Sequence, residues 1–102
     1  MATYVLMTKL APQVVGDPSR RKQYGREWKL AVDRLCPGIK WLAHYALLGP
    51  YDFLDIYEAP DEETAAKVSL ITHANGAQKA ESWPAIPYAR FLDIAREVGE
   101  GL

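Results

Sequence analysis

The apolar positions along this chain fall into runs of two periods, separated by clear turn and stop signals. TYVLMTKL (3–10) is rich in β-branched and aromatic residues and halts near Pro12, which predicts a first strand. In the segment VVGDPSRRKQYGREWKLAVDRLCPG, Tyr24, Trp28, Val32 and Leu35 recur three or four apart and predict a long amphipathic helix. Asp17 is its expected N-cap, Pro18 its first position, and Pro37 with Gly38 its stop. IKWLAHYALLG (39–49) and YDFLDIYEA (51–59) flank Gly49 and Pro50, a turn signal that predicts a hairpin. A second helix is expected from Asp61 as N-cap, with Glu62 and Glu63 in the first turn where the helix dipole favours them, to Asn75 and Gly76. Its inward residues are Ala65, Val68 and Ile71 or Thr72. AQKAESW reads as a fourth strand, and Tyr88, Phe91, Leu92, Ala95 and Val98 stripe a third helix ending at Gly99.

The order β, α, β, β, α, β, α is that of a ferredoxin-like α+β fold, a βαββαβ antiparallel sheet with both main helices on one face and a further C-terminal helix. An even-numbered turn fixes which hairpin residues share a face. Trp41, Ala43, Tyr45 and Leu47 go with Leu54 and Ile56; this nearly pure hydrocarbon set is expected against the helices. Leu42, His44, Ala46 and Leu48 go with Phe53, Asp55 and Tyr57, on a face that no helix remains to cover. Such an apolar face is expected to meet a second copy of the chain. His44 on that face lies across from Asp55 or Tyr57, depending on register, and a histidine held by a carboxylate or phenol is an acid/base unit. The plainer role for the same three residues is mutual hydrogen bonding at a subunit interface.

A length of 102 residues fits one domain spanning 1–102. The formal charge of -1 gives no basic field of the kind that drives nucleic-acid binding. Cys36 is the only cysteine, so an intrachain disulfide and a multi-cysteine zinc site are excluded and a reducing compartment fits. No apolar run reaches 18 residues, and the N-terminus lacks a signal peptide's basic segment, so a cytoplasmic location away from membranes is expected. The chain contains no GxGxxG, P-loop or CxxC motif, and no cofactor is expected. A haem or zinc role would need His44 and His73 to converge or act singly. SRRK (19–22), joined by Arg26, could hold an anion near a helix N-terminus, though a solvated charged face is the commoner role.

The stretch LGPYDFLDIYEAPD resembles the GYD domain family, named for the glycine, tyrosine and aspartate found here as Gly49, Tyr51 and Asp52. TYVLMTKL and ESWPAIP are also similar to that family, so the likeness covers nearly the whole chain. Turn chemistry alone accounts for Tyr51 and Asp52, which are expected to be mainly structural. The resemblance implies a fold of the dimeric α/β barrel type, in which two sheets meet face to face, and implies no settled activity. Related barrel families include cofactor-free monooxygenases, small isomerases and haem proteins. Two functions follow as expectations. One is a homo-oligomeric protein that binds or converts a small organic molecule beside the sheet, with His44 as general base and Asp55 and Tyr57 as its partners. The other is a non-catalytic homo-oligomeric regulatory or structural module.

Overall fold

A computed structural model describes residues 1–102 throughout. Its elements are β1 (Ala2–Leu10), α1 (Pro12–Val15), a 3-10 turn (Pro18–Arg20), α2 (Arg21–Leu35), β2 (Lys40–Ala46), β3 (Phe53–Ala59), α3 (Glu62–Ala74), β4 (Ala77–Ala85) and α4 (Tyr88–Gly101). The four strands form one antiparallel sheet in the order β2-β3-β1-β4, which is the expected ferredoxin-like arrangement. No helix is long and apolar enough to cross a membrane.

Local chemistry accounts for most of the boundaries. The Asp61 side chain accepts from the backbone N–H of Thr64 at 2.8 Å and caps α3, with Glu62 and Glu63 in the first turn as expected. At the other end of α3, Gly76 takes φ 103°, where a side chain would be strained; an added Cβ would also lie 2.9 Å from Val14 Cγ2. The start of α2 differs from expectation. Asp17 precedes only the 3-10 turn, makes no cap to a backbone N–H, and instead accepts from Ser19 Oγ at 2.8 Å. The α-helix proper begins at Arg21, and the short α1 before it was not legible in the sequence.

The sheet faces are the reverse of those expected. Asp55, Tyr57 and Ala59 of β3 point toward α2 and α3 and are buried with Tyr4, Leu6, Val32, Cys36, Ala65, Val68 and Ile71. Leu54 and Ile56 lie on the bare face with Val5, Tyr45 and Trp83, the last two 61% and 46% exposed. Both sets are apolar enough to serve as core, and the pairing of Tyr4 with Tyr57 and of Leu6 with Asp55 decides between them. Trp41 was expected beside Ala43, yet it packs in the core layer while Ala43 does not. A bulge between Trp41 and Ala43 adds one residue to β2, so Trp41 pairs with Tyr57 and Ala43 with Ile56. Trp28, Trp41, Tyr57 and Tyr4 then form a chain of rings from α2 through the sheet, with successive centroids 5.2, 5.2 and 5.5 Å apart.

Helix α4 buries none of its residues, and Tyr88, Phe91, Leu92 and Val98 along it are all exposed. The molecule measures 55 × 30 × 18 Å with a radius of gyration of 15.9 Å. A compact chain of this length has a radius of about 13 Å, so α4 stands off from the body.

Candidate functional site

The helix-covered face carries the candidate site. β3 presents Asp55 inward at 3% exposure, and the register places His44 of β2 directly opposite. His44 Nδ1 is hydrogen-bonded to Asp55 Oδ1. A carboxylate accepts, so Nδ1 carries the proton and Nε2 is left as the basic nitrogen. Burial raises the Asp55 pKa, while the hydrogen bond and charge of His44 pull it back. The His44 ring also stacks against Phe53, centroids 5.7 Å apart.

Two of the three expected acid/base residues therefore meet, and the third does not join them. Tyr57 is fully buried, and its hydroxyl shares a 2.7 Å hydrogen bond with Ser82 Oγ, which in turn meets Ser69 Oγ at 2.9 Å. Burial pushes its phenol up to about 12, the Ser82 hydrogen bond opposing. Tyr57 serves the core and has no access to a ligand. Because its folded pKa is raised, Tyr57 contributes stability that is fully present below the ordinary phenol value of about 10. That contribution is lost as pH rises through about 12. Urea melts of the native protein should therefore show falling stability over this alkaline window, and Tyr57→Phe should lessen the slope. Equal slopes in the two proteins would contradict the assignment.

Above the His44–Asp55 pair, a cleft of about 510 Å³ opens between α2 and the edge of the sheet. Arg21, Trp28 and Lys29 form one wall, and Trp41, Leu42 and His44 the other. Its inner end continues into a small space of about 30 Å³ reaching Thr8, Thr72 and Asn75. The Arg21 guanidinium lies over the Phe53 ring, 4.8 Å from the centroid, and burial lowers its pKa while the Asp52 charge raises it. Trp28 Nε1 donates to Thr72 Oγ1 at 2.9 Å and so ties this wall to α3. Arg21 was visible in the sequence only as part of a basic run. Trp41 was hidden by the bulge, for which the sequence gives no sign.

Within the Gly49, Tyr51 and Asp52 motif, the last two residues fasten the loop to its neighbours. Asp52 Oδ2 accepts from the Leu10 N–H at 2.7 Å, and the Asp52 N–H donates to the Thr8 carbonyl at 2.8 Å. Together these bonds pin the β2–β3 loop onto β1 where its pairing with β4 slips between Lys9 and Leu10. Tyr51 donates to Glu81 at 3.0 Å, and that bond leads the causes that raise its pKa. Glu81 also accepts from Trp83 Nε1 at 3.1 Å. No cluster of three or more His, Cys, Asp or Glu side chains could hold a metal, and His73 lies in the last turn of α3, outside the cleft.

Comparison with known proteins agrees with the sequence resemblance. The GYD domain family profile matches residues 4–95. A Thermus thermophilus protein named glutamine synthetase and cystathionine beta-lyase binding protein is 33% identical over 96 residues, covering 90% of this chain and 96% of the relative. Two solved structures share the fold. FFRP-DM1 has a TM-score of 0.55 at 16% identity, covering 84% of this chain and 100% of its own. The Arabidopsis thaliana protein At3g17210 has a TM-score of 0.50 at 11% identity, covering 85% of this chain and 95% of its own.

Proposed function

This chain belongs to the GYD domain family, and on that premise we propose that it is a single-domain, homo-oligomeric binding module that docks on a metabolic enzyme. The observation that carries this reading is the bare sheet face of Val5, Leu54, Ile56, Tyr45 and Trp83, together with the unpacked helix α4. Apolar surface of this extent is unfavourable in water, and a second copy laid sheet to sheet would remove it, with about 10 Å between the sheets. The enzyme is then bound by the assembled oligomer. Its kind is the one for which the Thermus relative is named, glutamine synthetase or cystathionine beta-lyase. A cytoplasmic setting suits the buried thiol of Cys36, which burial pushes up and away from reactivity.

Co-elution tests the docking. Mixed with purified glutamine synthetase or cystathionine beta-lyase from its own organism, the protein should shift with one of them on a sizing column at micromolar concentration. Independent elution from both enzymes would contradict it.

The His44–Asp55 pair beneath the cleft favours a second reading, in which the module also binds or converts a small organic molecule and His44 Nε2 acts as the general base.

A further inference from the structure

The geometry points to a small organic carboxylate as the occupant of the cleft between α2 and β2, its anionic end on Arg21 and its apolar body against Trp28, Trp41 and Leu42. The inference rests on the small-molecule reading of the cleft given above. Two unmet donors carry it. Arg21 Nη1 and Trp41 Nε1 are the two side-chain atoms of the molecule that are buried with no hydrogen-bond partner, and both residues line this one cleft. A buried donor without an acceptor is costly, and native structures hold few of them. Two of them on the facing walls of one cleft call for an acceptor supplied from within it.

Charge narrows the class. Arg21 forms no ion pair, whereas the neighbouring cation Lys29 is held by Asp33 at 2.6 Å. The Asp55 carboxylate is already engaged by His44. The unspent charge at the cleft is thus the positive charge of Arg21, whose planar fork of N–H donors matches a carboxylate. Asp52, the carboxylate whose charge acts on Arg21, is tied to the backbone of Leu10. The indoles of Trp28 and Trp41, centroids 5.2 Å apart, leave the rest of the cleft suited to an apolar or aromatic body. A volume of about 510 Å³ suits a molecule of metabolite size.

Benzoate and benzamide serve as a matched pair of probes, alike in shape and different in charge. Followed by amide NMR on the whole protein, benzoate should give saturable shifts at cleft residues such as Gly25 and Ala43. Benzamide should bind at least about tenfold more weakly, as expected for loss of a charge-assisted bond. Arg21→Gln should weaken benzoate by about 10- to 100-fold. Trp41→Phe keeps an aromatic side chain while removing the N–H together with the five-membered part of the indole, and should weaken it by about 2- to 10-fold. This second variant keeps the test decisive if the first fails to fold. Equal binding of benzamide and benzoate would overturn the carboxylate while leaving a small-molecule cleft in place. Absence of saturable shifts with both probes would overturn the cleft reading along with it.

Discussion

Replacing Ile56 with Asp is expected to abolish the proposed sheet-to-sheet assembly and leave a folded monomer. Ile56 lies in the middle of the bare sheet face, paired with Val5 on one side and Ala43 on the other. A second sheet packed there would trap the new carboxylate away from water with no partner. Burying an unpaired polar or charged group costs at least about 2 kcal/mol, and that alone weakens association about thirtyfold. The helix-side core of Tyr4, Leu6, Tyr57 and Val68 does not include Ile56, so the monomer should keep its helical signal. Leu70→Asp, a change of the same chemistry on the outer face of α3 at a residue 68% exposed, is the control and should leave assembly intact. Sedimentation velocity at micromolar concentration reads all three proteins. If the native chain is already a monomer, or if Ile56→Asp sediments unchanged, the account of the bare face is wrong.

Asp52→Ala should produce the largest loss of stability attached to the family motif. The carboxylate satisfies the Leu10 N–H at a place where the strand pairing slips. Leaving such a donor unmet costs about 1–3 kcal/mol, which for a domain near this size lowers Tm by about 4 °C or more. Asp52→Asn retains an acceptor oxygen at the same reach and should recover most of the loss in a thermal melt. Gly49→Ala is the contrast within the motif. A Cβ there would meet nothing within 4 Å, and Gly49 does not use a positive φ, so the melt should move little. If Asp52→Ala melts with the native protein, the motif does not fasten the loop.

Locally determined features were legible in the sequence. The Asp61 cap on α3 needs only the residues next to it, and the hairpin turn narrowed the residue opposite His44 to Asp55 or Tyr57, of which the register selects Asp55. Features set by competition between distant surfaces were not. Leu54 and Ile56 look more like core than Asp55 and Tyr57 do, because hydrophobicity alone cannot distinguish burial under helices from a bare apolar face. Asp55 can sit inward because His44 meets it, and Tyr57 because Ser82 does. At α2, Asp17 and Pro18 have the composition of a helix start, but they open a 3-10 turn, which makes Arg21 the first α-helical residue and places it on the cleft. That shift is why a residue read as one member of a charged run emerges as the best-placed anion binder.

The bulge at Leu42 also bears on how far self-association can run. β2 is one outer strand of the sheet and β4 the other, and an outer strand with regular unpaired N–H and C=O groups is a template on which further chains can add without limit. On β2 the extra residue breaks that regular row, and on β4 Pro84 has no N–H to offer. Neither margin of the sheet therefore invites the strand-by-strand growth that ends in fibrils, whereas the proposed pairing through the bare apolar face would close after two copies.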